Sequence, residues 1–196
     1  MKLILVRHGE TDFNKERRFQ GQLDEPLNKE GEKQAKRLAN ILKDANIDII
    51  ISSPLKRALK TAEIINKYHN KEIILEDLAK ERGFGKLEGE KYENVDFKKI
   101  ALNNEYEKYG IESDKKFLER VKKLLKKLIK NYKNKNVLLV THAGIIKFIL
   151  SIVLELDLEV ALTKINKKNC TLTIIDFSDE NPKLIGLNTL DSSLIK

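Results

Sequence analysis

Tryptophan is absent from the chain, cysteine occurs once, and proline and histidine occur three times each. One cysteine excludes an intrachain disulfide, and 196 residues suffice to bury a core that needs neither disulfide nor metal to hold it. Cys170 lies in the strand-like run Cys170-Thr171-Leu172-Thr173-Ile174-Ile175 with nothing basic beside it, so it reads as a buried structural thiol, not a nucleophile. No apolar stretch approaches the ~20 residues needed to cross a bilayer, and the first apolar run stops at Arg7, short of a signal-peptide core. The expected location is the cytoplasm, with no membrane partner. Aromatic residues are scarce, and the net charge of +8 is spread along helix faces without the aromatic interleaving that stacks bases, which argues against nucleic acid. A mild positive field still favours a small anionic substrate.

What the chain does have is an alternation of short apolar runs and amphipathic stretches. Residues 2–6 read as a buried strand, and 29–43 as a helix carrying Ala35, Leu38, Ala39 and Leu42 after a cap at Asn28. Residues 47–51 form a second strand, and Ser53-Pro54 predicts an N-cap with proline in the first turn of a helix reaching about Tyr68. A third strand covers 72–75, followed by an irregular segment holding Gly83, Gly85 and Gly89. The polar stretch that follows reads as a small helical insertion, a lid over about 90–113. Ser113 then caps a long helix with Phe117, Val121, Leu124, Leu128 and Tyr132 on one stripe. A strand ending at Thr141, a helix over 145–154, a strand over 171–177 and an edge strand over 184–187 complete the chain. This order predicts a single α/β domain over 1–196: a three-layer sandwich whose mainly parallel central sheet is flanked by helices. Ligands of such sheets bind beyond the carboxyl ends of strands, where both His8 and His142 fall.

The first run ends in Leu5-Val6-Arg7-His8-Gly9-Glu10-Thr11, and His142 follows a run of the same kind, Asn136-Val137-Leu138-Leu139-Val140-Thr141. A histidine so placed is a ligand, a nucleophile, or a residue merely satisfying its hydrogen bonds at a strand end. Arg7 and the matching second histidine favour chemistry. Neutral imidazole is nucleophilic near pH 7, and a neighbouring cation favours the neutral form, which suits attack on phosphorus. Gly9 is expected to let the chain approach the substrate closely. In the run from Ser52 to Ala62, Arg57 falls in the first turns of a helix, where the guanidinium and the positive helix end can hold a phosphoryl group. Glu10 reads as an orienting group, since a carboxylate touching a phosphate would repel it. His69 reads as a surface residue.

Together these segments resemble the histidine phosphatase superfamily, also called phosphoglycerate mutase-like. Arg7-His8-Gly9-Glu10-Thr11 is similar to its Arg-His-Gly-Glu-Thr/Ser signature, with Asn14 at the family's spacing, and Gln20 to Asn28 with Gly31 to its substrate loop. Ser52-Ser53-Pro54-Leu55-Lys56-Arg57-Ala58 is similar to its Ser-Ser-Pro-Leu-x-Arg-Ala motif, and Thr141-His142-Ala143-Gly144 to its second-histidine motif. Glu81 precedes Phe84-Gly85-Lys86-Leu87-Glu88-Gly89 as the family's acid–base glutamate does. The resemblance implies that His8 attacks phosphorus and carries the phosphoryl group. Arg7, Arg57 and His142 would neutralise the equatorial oxygens, and Glu81 would protonate the leaving oxygen and then activate water. It further implies a substrate lining of Arg7, Asn14, Gln20, Gly21, Arg57, Arg82 and Ala143, with no metal and no other cofactor.

Three activities fit this resemblance: a phosphomonoester hydrolase, a cofactor-dependent phosphoglycerate mutase, and a phospho-ligand binding module without catalysis. Glu81-Arg82 is similar to the mutases. The segment between Gly89 and Ser113, however, is short and lacks paired arginines, and Ala143-Gly144 is closer to phosphatases than the Gly-Asn of mutases. The full set of His8, Arg7, Arg57, Glu81 and His142 argues against an idle binder. The C-terminal Asp191-Ser192-Ser193-Leu194 departs from the His-Leu pair of many members, so no tail contribution to the site is expected. A homodimer through a strand edge or helix face is compatible with the sequence.

Overall fold

The computed structural model describes residues 1–165, 168–179 and 181–195. Strands β1 (Lys2–Arg7), β2 (Ile49–Ser52), β3 (Ile73–Leu75), β4 (Asn136–Thr141), β5 (Leu172–Asp176) and β6 (Lys183–Thr189) form one sheet in the order β3-β2-β4-β1-β5-β6. The first four in that order are parallel, and β5 and β6 run antiparallel to finish the edge.

Both faces are covered, which is why the central strands read as near-continuous apolar runs. Leu3, Leu5, Val137 and Leu139 pack beneath α6 (Asp114–Asn131) and α7 (Ala143–Val153). Ile4, Val6, Leu138 and Val140 alternate to the other face, beneath α2 (Lys29–Leu42) and α3 (Lys56–Asn66). The architecture is the three-layer α/β sandwich expected from the sequence.

Several boundaries shift by a residue or two, β2 (expected over 47–51) and β6 (expected over 184–187) among them, and two of the shifts lie at the carboxyl edge of the sheet. Helix α3 begins at Lys56, with Leu55 in the cap position and no side-chain cap. Ser53 precedes a proline, which keeps it extended, and its N–H continues the β2 ladder to Val140 O at 3.0 Å. Helix α7 starts at Ala143, directly after His142, two residues before the expected start at the first large apolar residue, Ile145.

The polar stretch beyond Gly89 contains a 3₁₀ turn, Tyr92–Asn94, and two short helices, α4 (Phe97–Leu102) and α5 (Tyr106–Tyr109), after the four-residue α1 (Asp12–Lys15) in chain order. It has its own apolar cluster, in which Ile100, Tyr106 and Ile111 pack with Phe19 and Leu87. At the other end of the sheet the tail is pinned: Lys2 Nζ donates to Leu194 O at 3.0 Å, Asn136 Nδ2 to Ile195 O at 3.2 Å, and Ile195 is fully buried. Lys2 and Asn136 open β1 and β4, so the tail sits opposite the carboxyl ends of the strands. Among the described residues no helix is long and apolar enough to cross a membrane.

Candidate active site

Three neighbouring parallel strands end at one level. His8 N donates to Thr141 O and Ser53 N to Val140 O, each at 3.0 Å, so Ser53, His142 and His8 stand side by side beyond β2, β4 and β1. The two imidazoles lie 5.2 Å apart, tilted by 58°. Nδ1 of His8 is 2.7 Å from Gly9 O. A carbonyl can only accept, so Nδ1 carries the proton and Nε2 keeps the lone pair. Asn169, which the sequence did not single out, holds the same turn by donating to His8 O at 2.8 Å.

Burial, then the charges of Arg57 and Arg7, push the His8 pKa well below the ordinary imidazole value. His142 is lowered in the same way, by burial first and Arg57 next. Its Nε2 pairs with Ser53 Oγ at 2.8 Å, and its Nδ1 is buried without a hydrogen-bond partner among the described residues. Both rings are therefore neutral at pH 7. Their folded pKa values lie below the unfolded value of ~6.5, so the unfolded chain binds more protons as pH falls through that range. The stability they contribute is present above ~6.5 and lost below it. The urea midpoint should drop between about pH 7.5 and pH 5, and drop less in His142→Asn; equal drops in both proteins would contradict this assignment.

Arg57 is fully buried, and burial lowers its pKa to about 10, leaving it a cation. It donates to Gly21 O and Leu23 O, both at 2.7 Å, which clamps the expected substrate loop onto α3. Asp24 completes the clamp by accepting from Lys56 N at 2.7 Å, so the first N–H of α3 is engaged by a carboxylate of the chain itself. Gly9 does not serve close approach to a substrate: a Cβ there would overlap the backbone of Gly31, so the glycine lets the β1 turn pack on the start of α2.

Glu81 is oriented through both carboxylate oxygens. Oε1 accepts from Arg82 N at 2.9 Å and Oε2 from Gly144 N at 3.2 Å, at the N-terminus of α7. Arg120, missed in the sequence reading, holds the approach to Glu81 by donating to the carbonyls of Leu78, Lys80 and Glu81 while paired with Glu112 at 2.6 Å. A Cβ on Gly144 would overlap Glu81 Oε1. Gly144→Ala should therefore displace the Glu81 carboxylate, and if that carboxylate is the acid–base group expected from the sequence, kcat should fall by ~10–100-fold with little change in KM. A variant as active as wild type would show that this carboxylate position is not used.

The remaining expected residues divide. Thr11 Oγ1 donates to Gln20 Oε1 at 2.9 Å and accepts from Asn14 N at 3.2 Å, which leaves the Gln20 amide NH₂ for a ligand. Arg82 spends most of its guanidinium elsewhere: Nε donates to Glu112 O at 2.7 Å and Nη1 pairs with Asp114 at 2.6 Å, while Tyr106 OH donates to the same carboxylate. Only its Nη2 is buried without a partner among the described residues. Glu10 accepts from Asn28 Nδ2 at 3.0 Å, in keeping with an orienting role. His69 is half-buried, not a surface residue, and lies outside the cavity. Cys170 is buried and its thiol is pushed up to about 12 by burial, as a structural cysteine should be.

Arg7, His8, Asn14, Gln20, Gly21, Arg57, Glu81, Arg82 and Ala143 all line one cavity of about 480 Å³, whereas His142 is fully buried beside His8 and is not among the lining residues. Much of the rest of the lining is apolar and aromatic, with Phe19, Phe84, Tyr92, Val95, Phe97, Phe117 and Phe148, three of them from the stretch beyond Gly89. Among the described residues no cluster of three His, Cys, Asp or Glu side chains could hold a metal.

The sheet thus sets paired histidines and buried arginines at its carboxyl edge, the arrangement expected from the sequence for a phosphoryl-binding site. The sequence profile of the histidine phosphatase superfamily, branch 1, matches residues 3–190, and the chain belongs to that family. It is 39% identical over 186 residues to the uncharacterized phosphatase PhoE of Bacillus subtilis, covering 95% of this chain and 93% of that one. Phosphoserine phosphatase 1 of Hydrogenobacter thermophilus is 34% identical over 195 residues, covering 96% and 92% of the two chains. Among solved structures, the phosphoserine phosphatase of Entamoeba histolytica in complex with phosphoserine superposes with a TM-score of 0.85 at 33% identity, covering 97% and 98%.

Proposed function

We propose that the chain is a phosphomonoester hydrolase acting on a small phosphorylated metabolite through a phosphohistidine on His8. The observation that carries this reading is the Nδ1 contact of His8 with Gly9 O, which leaves a neutral Nε2 lone pair in a cavity also lined by Arg7, Arg57 and Glu81. In the first step Nε2 bonds to phosphorus, the ester P–O bond breaks, and Glu81 gives its proton to the leaving oxygen. In the second, Glu81 takes a proton from water, the water oxygen bonds to phosphorus, and the P–N bond breaks to release phosphate and free His8. Arg7, Arg57 and the Nδ1 side of His142 meet the charge on the equatorial oxygens, and an arriving phosphoryl dianion favours protonation of His142. No metal or cofactor takes part in this scheme. Asn14, Gln20, Gly21, Arg82 and Ala143 complete the substrate lining, and the segment over 90–113 acts as a lid on a single domain.

Inorganic phosphate released from a panel of phosphomonoesters, ranked by kcat/KM, tests the reading. The panel includes sugar phosphates, phosphoserine, α-ribazole phosphate and p-nitrophenyl phosphate. Release without added metal is expected. Rapid conversion of 3-phosphoglycerate to 2-phosphoglycerate in the presence of 2,3-bisphosphoglycerate, with negligible phosphate release, would make the protein a mutase; no turnover of any compound would make it a binder.

A further inference from the structure

One cation of the cavity has no place in the mechanism above. Lys147 lies on α7 one turn beyond Ala143, on the stripe that Ala143 and Gly144 present to the cavity. It is the one charged residue of that helix and is half-buried. Its Nζ donates to Leu162 O at 2.6 Å, from α8 (Leu158–Lys164), and both residues line the cavity. An ammonium has three donors, and this bond uses one.

The charge beside it is unbalanced. Arg82 and Arg120 are paired with Asp114 and Glu112, whereas Lys147 forms no ion pair among the described residues. Burial, and next Arg7, lower its pKa, with Glu81 opposing. Arg7 and Glu81 are thus within electrostatic reach. A half-buried ammonium beside Phe148 and Leu162 is stabilised when a ligand brings an anion to it.

We propose that Lys147 is a specificity residue that binds the carboxylate of a phosphorylated hydroxy acid or amino acid whose phosphoryl group sits at His8. The inference rests on the phosphatase reading and narrows its substrate class. The geometry suits such a compound: His8 and Lys147 line the same cavity of about 480 Å³, and its carboxylate lies only a short aliphatic step from phosphorus. In this reading Arg7 and Arg57 meet the phosphoryl group and Arg82 keeps only Nη2 unengaged, so Lys147, with two donors to spare, is the cation left for a carboxylate.

The test compares O-phosphoserine and 3-phosphoglycerate with phosphoethanolamine and p-nitrophenyl phosphate, which lack a carboxylate, for wild type, Lys147→Gln and Lys147→Arg. In Lys147→Gln the loss of kcat/KM for the two carboxylated substrates should exceed the loss for the other two by ~10–100-fold, the scale of a charge-assisted hydrogen bond, and should reside in KM. Lys147→Arg should restore the preference. If Lys147 served only to hold α8 through Leu162, all four substrates would lose alike, and that result overturns the proposal. Phosphate release by the wild type separates the two levels: release from none of the four substrates removes the phosphatase reading and this inference with it, whereas release with an unchanged carboxylate preference in Lys147→Gln removes this inference alone.

Discussion

His8→Ala is expected to lower turnover by at least ~10⁴-fold, the scale on which removal of a covalent nucleophile acts, and to abolish any phosphoenzyme. The loss should not come from unfolding. Nδ1 of His8 bonds to its own neighbour, Gly9, so removing the ring breaks no contact between elements through that atom. Arg7 and Arg57 remain to bind the phosphoryl group, so phosphate or a substrate analogue should still raise the thermal midpoint of the variant. An inactive variant that also fails to bind would assign His8 to binding; an active one would end the covalent mechanism.

Glu81→Gln should separate substrates by leaving group. A metabolite alkoxide leaves with difficulty unless protonated, so kcat for an alkyl phosphate should fall by ~10²–10⁴-fold, the usual worth of a general acid. p-Nitrophenolate needs little help, and phosphorylation of His8 by that ester should be far less impaired. The glutamine retains one acceptor but turns an NH₂ toward one of the two backbone donors that now hold the carboxylate, Arg82 N and Gly144 N. Because release from His8 also needs the base, phosphoenzyme should accumulate in this variant with the aryl ester. Equal losses for both substrate classes in the rate of His8 phosphorylation, with no accumulation of phosphoenzyme, would show that Glu81 positions the substrate and moves no proton.

Much of this was legible in the chain. Buried parallel strands write themselves as runs such as Leu3-Ile4-Leu5-Val6 and Val137-Leu138-Leu139-Val140, and residues at their carboxyl ends inherit the ligand edge of the sheet. His8 and His142 were found that way, and Arg57 through its place in the next helix. Strand order was not legible: nothing local says that β4 inserts between β2 and β1, which is what brings His142 beside His8. Ser53 was read as a helix cap because serine before proline is a common cap signal, while its hydroxyl is engaged by His142 across the sheet. Arg120 sits in a helix crowded with lysines, and no sequence pattern separates a cation that holds three carbonyls from one in solvent. Lys147 did leave a signal, a single charge inside the apolar run Ala143–Val153, which the reading of a helix over 145–154 did not take up.

The central claim is that phosphate passes through His8. Rapid mixing of the protein with a phosphomonoester, quenching on the timescale of one turnover, and peptide mapping under alkaline conditions that preserve phosphoimidazole test it directly. The account predicts a transient phosphate on the Arg7–Gly9 segment, located on the His8 ring, that forms and decays fast enough to support turnover. Steady release of phosphate with no labelled His8 at any time, or label on another residue, would contradict it.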